Sequence, residues 1–109
     1  MEKTHPPIQN FEAFWSFYLS QHQNKTCRIL HYFGTIIGII IVSYILVTHQ
    51  PWPLIFLSLI PSYSCAWIGH FVFEKNVPAT FTYPMWSFKA DFKMLYCFMT
   101  GKLETELKK

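Results

Sequence analysis

Charge is what this 109-residue chain has least of. Only 14% of its residues are Asp, Glu, Lys or Arg, against about a quarter in an ordinary soluble domain. Between Arg28 and Glu74 run 45 consecutive residues with no charged side chain. A helix that crosses a bilayer needs about 20 apolar residues, so this stretch has room for two spans and a tight turn. A buried hairpin in a soluble protein is the alternative, but so small a domain has too little polar surface to cover two such helices. Lys and Arg do not cluster, the net charge is only +3, and no Gly-rich phosphate loop is present; nucleic acid is therefore not an expected partner. Cys27, Cys65 and Cys97 are odd in number and lack CxxC spacing, which argues against a disulfide framework or a zinc ribbon. They read as small apolar residues. The first 30 residues have no basic start followed by an apolar core, so no cleavable signal peptide is expected.

What remains is apolar and aromatic, 51% and 19% of the chain. The pattern predicts an all-α fold: an integral-membrane helical hairpin of two spans, flanked by amphipathic interfacial helices. Residues 1–9 read as an N-terminal tail, 10–101 as a single membrane domain and 102–109 as a charged C-terminal tail. Asn10 is a candidate N-cap for a helix over Phe11 to Ser20, with Phe11, Phe14, Trp15 and Tyr18 as an aromatic stripe. That stripe suits a membrane interface or packing onto the hairpin. The spans cover about 29–47 and 54–73. Gly34 and Gly38 form a small-xxx-small pair that lets another helix approach. Pro51 and Pro53 punctuate the turn, and Pro61 is a candidate kink. Asn76-Val77-Pro78 breaks the second helix. Ser87 is a candidate cap for a last helix over Phe88 to Thr100, ended by Gly101, with Phe88, Phe92, Tyr96 and Met99 on one face and Lys89 and Lys93 on another. The turn over 48–53 has no Lys or Arg, whereas Lys25 and Arg28 precede the hairpin and Lys75, Lys89 and Lys93 follow it. The positive-inside rule then puts both termini in the cytoplasm.

The chemistry-bearing residues gather at one end of this hairpin. His70 and Glu74 lie four apart on a helix, on one face and one turn from each other. Two ionisable groups in such apolar surroundings cost free energy unless paired, ligated or kept wet. Antiparallel spans bring the end of the second beside the start of the first, so His22, His31, His70 and Glu74 converge at the cytoplasmic membrane edge. Asn24 and Asp91 are candidate supporting partners around them. His5, in the tail, and His49, in the opposite turn, are set aside. Histidines with a carboxylate and open positions suit non-heme Fe(II), with zinc as the competitor. Histidines that merely hold two helices together are the other reading. A zinc-dependent lipid hydrolase ranks last, because neither an HExxH nor a Ser-nucleophile motif is present.

Two blocks carry a family resemblance. His22-Gln-Asn24-Lys-Thr-Cys-Arg-Ile-Leu-His31 and Gly69-His70-Phe-Val-Phe-Glu74-Lys75-Asn-Val-Pro78-Ala79 are similar to the motifs of the yeast-type 2-hydroxy fatty acid dioxygenases and their short bacterial relatives. The second block is the specific one, and the resemblance covers roughly residues 11 to 101. It implies a membrane-embedded, Fe(II)-dependent enzyme of fatty-acid α-oxidation, which uses O2 to shorten 2-hydroxy fatty acids from phytosphingosine breakdown by one carbon. On the matching positions it implies His22, His31 and His70 as iron ligands, with Glu74 as a catalytic base or further ligand. Lys75 and Lys25 are then the candidates for steering the substrate carboxylate. The longer family members have additional apolar segments and a further histidine, which the short turn of this chain does not accommodate.

Overall fold

The computed structural model describes residues 8–108, and every regular element among them is helical. His5 and most of the predicted N-terminal tail lie outside the described residues.

Helix α1 spans Phe11–Ser20. Its N-cap is Asn10, whose side-chain oxygen accepts the Ala13 N–H at 2.8 Å, satisfying one of the donors that a helix start leaves free. The long helix α2 covers Lys25–Val47. Asn24 caps it, accepting from the Thr26 and Cys27 N–H groups at 2.9 and 3.2 Å.

The second arm is not one uniform helix. It opens as a 3₁₀ segment over Trp52–Ser58, continues as α3 over Leu59–Ile68, and ends in a π-helical turn over Gly69–Glu74. Proline explains the first change. Pro61 has no N–H for the carbonyl of residue 57, and its ring crowds that turn. The chain is tightened into 3₁₀ geometry before Pro61, so a change of helix type stands where the sequence predicts a kink. Both α2 and the combined second arm, Trp52–Glu74, are long and apolar enough to cross a membrane. They meet along the expected glycine seam. A Cβ on Gly34 would stand 2.8 Å from the Ser62 carbonyl oxygen, and one on Gly38 would stand 2.5 Å from Ser62 Oγ. Ser62 Oγ donates to the Gly34 carbonyl at 2.8 Å, so the seam is hydrogen-bonded as well as close.

Helix α4 covers Pro84–Met99. It starts earlier than the sequence predicts because Pro84, with no N–H to lose and φ already fixed, sits at its first position. Ser87 therefore does not cap it but lies buried inside, with its hydroxyl unpartnered. The predicted apolar face also points outward: Phe88, Phe92, Tyr96 and Met99 are exposed, while Ala90, Met94, Leu95 and Cys97 are buried. Short side chains let α4 lie against α1, and Phe14, Trp15 and Tyr18 pack with Ala90 and Met94 into the main core cluster. The α1 stripe thus seats mainly on α4. Lys89 and Lys93 stand 4.2 and 4.4 Å above the rings of Phe11 and Trp15, a cation–π arrangement.

Gly101, at φ +76°, ends α4. The Lys102 N–H returns to the Cys97 carbonyl at 2.8 Å and the Gly101 N–H to that of Phe98 at 3.3 Å, a Schellman closure. The segment expected as a solvated tail instead forms helix α5 over Leu103–Leu107. Leu103 is buried, and Glu106 accepts the Trp15 indole N–H at 2.9 Å. All three cysteines are free thiols.

Candidate metal centre

Each of three histidines reaches one point from a different element. His22 follows α1, His31 lies nearly two turns into α2, and His70 is the second residue of the π turn. All three are buried, at 1%, 4% and 2% exposure. Their rings stand at 80–87° to one another with centroids 4.5 to 5.0 Å apart.

Each ring is held from behind through Nδ1. His22 Nδ1 lies 2.6 Å from the Tyr18 carbonyl, and the ring stacks on the Tyr18 ring at 4.0 Å. Arg28 Nη1 donates to the carbonyls of His22 and Gln23, tying down the α1–α2 loop. His31 Nδ1 lies 2.9 Å from the Cys27 carbonyl one turn back. His70 Nδ1 lies 2.7 Å from Asn76 Oδ1, and Asn76 Nδ2 donates to the Gln21 carbonyl. All three oxygens can only accept, so the hydrogen-bond network assigns the proton to Nδ1 in every ring. Each neutral imidazole is then left with a bare Nε2, and those of His22 and His31 face each other.

That arrangement asks for a cation. His22 Nε2 and His31 Nε2 are 3.1 Å apart, too close for two lone pairs with nothing between them. Burial, and after it the neighbouring His31 and His70, hold the His22 imidazole well below its usual titration range, so a proton does not fill the gap near neutral pH. Two imidazole nitrogens at about 2.1 Å from one ion sit about 3.0–3.4 Å apart for right-angled to tetrahedral geometry. The donor set fits a metal, and the Nδ1 partners are the outer-shell bonds that metal-binding histidines ordinarily make. Ligand atoms of His22, Cys27, His31 and His70 all lie within 4.8 Å of one another. This buried group can hold a metal ion. Cys27 Sγ, 3.7 Å from His31 Nδ1, is the fourth member of that group.

The other expected residues sit one step further out. Glu74 does not join that group; its carboxylate accepts the Asn24 N–H at 2.5 Å. A carboxylate there faces the positive end of the α2 dipole and clips the end of the second arm to the start of the first. Asn24 serves as the α2 cap and reaches the histidines only through the backbone. Asp91 accepts from the Tyr18 hydroxyl at 2.5 Å, and Tyr18 carries the carbonyl that holds His22. Burial pushes the Asp91 carboxyl up to about 7, although the Tyr18 hydrogen bond draws it down. Lys25 and Lys75 are exposed at the same edge; Lys75, at φ +59°, closes the π turn. His49 lies exposed in the turn at the far end of the hairpin.

Sequence reasoning left four contributors unassigned: Tyr18, Cys27, Gly69 and Asn76. Two had a usable signal, since Tyr18 and Cys27 each stand four residues before a histidine and so share its face. Gly69 has steric room to lose: a Cβ there would lie 2.9 Å from Cys27 Sγ and 3.2 Å from Cys27 Cα.

Comparison with known proteins bears on one family. No curated protein and no solved structure matches the chain significantly. One family profile, described as 2-hydroxy-palmitic acid dioxygenase Mpo1-like, matches residues 8–103. This match takes in all three histidines, the residues that orient them and both hairpin arms, and on that extent the chain belongs to the Mpo1-like family.

Proposed function

We propose that this protein is a membrane-embedded, Fe(II)-dependent dioxygenase that shortens 2-hydroxy fatty acids by one carbon. The observation that carries the reading is the trio of buried imidazoles with their bare Nε2 atoms on one centre, in a chain of this family. Imidazole donors suit iron among other transition metals. A ferrous ion held there would supply O2 activation and open positions for a hydroxyl and a carboxylate oxygen. The chain's own part is positioning. Tyr18, Cys27 and Asn76 lock the three rings, the close α2–α3 seam keeps bulk water out, and Lys25 and Lys75 steer the carboxylate toward the buried centre. Glu74 braces the start of α2 through Asn24 and is our candidate for the base. The reaction balances with no outside reductant: R–CH(OH)–COOH and O2 give R–COOH, CO2 and water. The C1–C2 bond breaks, and O2 accepts the four electrons.

Membrane embedding is part of the proposal. Ile29, Phe33, Ile36, Ile40, Tyr44 and Val47 are all exposed and recur at helical spacing along α2, a lipid-facing stripe by periodicity. Both termini are placed on the cytoplasmic side by the Lys and Arg distribution. In a background without the native cysteines, His49→Cys and Lys108→Cys should label from opposite sides with a membrane-impermeant reagent. Labelling of both from one side contradicts the hairpin.

The activity has a direct readout. Iron-loaded protein given 2-hydroxypalmitate should form pentadecanoic acid, seen by mass spectrometry, only when Fe(II) and O2 are both present. Palmitate, without the 2-hydroxyl, should be inert. Folded, iron-loaded protein that turns over no 2-hydroxy acid of any length would defeat the assignment.

A further inference from the structure

A cavity of about 640 Å³ runs along the groove between α2, α3 and α4. His31 of the metal centre and Asp91 line it at one end, and Ile55 and Phe56, beside the far turn, line it at the other. Between them its wall is almost wholly apolar. The hydroxyls of Ser58 and Ser62, which also border it, are spent on the carbonyls of Ile55 and Gly34, so they offer the interior no donor. Along α2 the cavity extends from His31 to Ser43, which is about 18 Å at the helical rise of 1.5 Å per residue. One bilayer leaflet, half of a hydrocarbon core about 30 Å thick, accommodates a tail of about that length. The volume lies within the roughly 300–1,000 Å³ that a single small ligand fills, which leaves no room for a two-tailed lipid with its headgroup. The groove also has an open side, where Phe56 and Met85 stand 61% and 76% exposed.

We propose that this cavity is the acyl subsite: one single-chain fatty acid lies in it head-first, its polar end between His31 and Asp91 and its methyl end at Ile55 and Phe56. The proposal rests on the dioxygenase reading for the identity of the head group, but its geometry stands apart from it. The open side lets the chain enter sideways from the surrounding hydrocarbon, without the tail passing through water. Chain-length selectivity follows from the length of the groove. Tails longer than the groove must bend out past Phe56, and shorter ones leave apolar wall unfilled. Val42 lines the groove toward the same end as Ile55, and its size sets that limit.

Photo-crosslinking tests the orientation without relying on turnover. The metal-loaded full chain is kept anaerobic in detergent with 2-hydroxypalmitate carrying a diazirine either near its methyl end or near its carboxyl. The methyl-end probe should mark peptides containing Val42, Ile55 or Phe56, and the carboxyl-end probe those near Tyr63, Phe88 and Asp91. A diazirine phospholipid serves as the competing source of an acyl tail and should label these sites weakly. For selectivity, Val42→Trp should lower crosslinking and turnover of the sixteen-carbon acid by roughly tenfold or more while sparing a ten-carbon acid, as loss of pocket volume does. Ile40→Trp, on the exposed face of α2, should change neither. If Val42→Trp does not fold, the two probes on the unaltered chain still decide the matter. Reversed labelling, scattered labelling over the outer face of α2, or equal labelling by the phospholipid overturns the subsite. Ordered labelling in a protein that makes no shortened acid would sink the dioxygenase reading instead.

Discussion

His70→Ala is expected to strip the bound metal from the purified protein, and His22→Ala and His31→Ala should do the same. Each of the three histidines supplies one of the donors of the buried His22–Cys27–His31–His70 group, and they come from three separate parts of the chain. Metal analysis of detergent-purified chain should find about one ion per unaltered chain, and close to none in each of the three variants. A graded control makes the test sharper. Asn76 only orients His70, through the 2.7 Å contact at Nδ1, so Asn76→Ala should weaken metal affinity by about 10–100-fold, the usual cost of losing such an outer bond. His49→Ala, at the opposite end, should leave metal content intact. Equal losses for His49→Ala and His70→Ala would mean that the metal is held elsewhere.

The second large effect should come from a residue with no chemistry. Gly34→Val is expected to separate the two hairpin arms, because its first side-chain atom would lie 2.8 Å from the Ser62 carbonyl oxygen. That oxygen is backbone, so relief requires shifting a helix, and overpacking of this kind costs about 1–3 kcal/mol or more. Thermal unfolding in detergent should drop by several degrees, and metal content should fall with it as His31 and His70 move apart. Gly101→Ala is the contrast. Nothing lies within 4 Å of its Cβ position, but its φ is +76°, so it pays only the left-handed strain of about 1 kcal/mol. It should lose a little stability and no metal. An unchanged melting point for Gly34→Val would show that the seam is looser than described.

Much of this arrangement was legible in the residues, for identifiable reasons. The hairpin could be read because 45 residues without charge leave few alternatives. The convergence of His22, His31 and His70 followed from antiparallel geometry alone. The helix at Phe11–Ser20 could be read because Asn10 is a strong cap. What escaped was set by tertiary choices. On α4 the spacing shows a face of Phe88, Phe92, Tyr96 and Met99 but not that it is left exposed while the Ser87–Ala90–Met94 side packs on α1. The π turn at Gly69–Glu74 has no local signature that separates it from an α-helical end. It is legible only once Asn76 is seen closing it, by its N–H on the His70 carbonyl at 3.1 Å. The docking of α5 depends on long-range contacts, the Trp15–Glu106 hydrogen bond and the burial of Leu103 in the core cluster, which no window of sequence contains. Glu74 shows the limit of spacing arguments: its position four after His70 was right for proximity, but the open N-terminus of α2 competed for its carboxylate.

The placement of the three histidines along the chain also bears on biogenesis. His22 and His31 are nine residues apart and leave the ribosome together, at the threshold of the first span. His70 emerges only after a further turn and the whole second arm, and domains fold from the N-terminus as they are made. If the arms insert as proposed, a nascent chain with one arm in place would offer two nitrogens, and the third donor would arrive only when the hairpin closes. Metal that prefers three donors over two stabilises the closed product and not the half-made one. On the proposed reading, insertion of the second arm and capture of the ion would be one event.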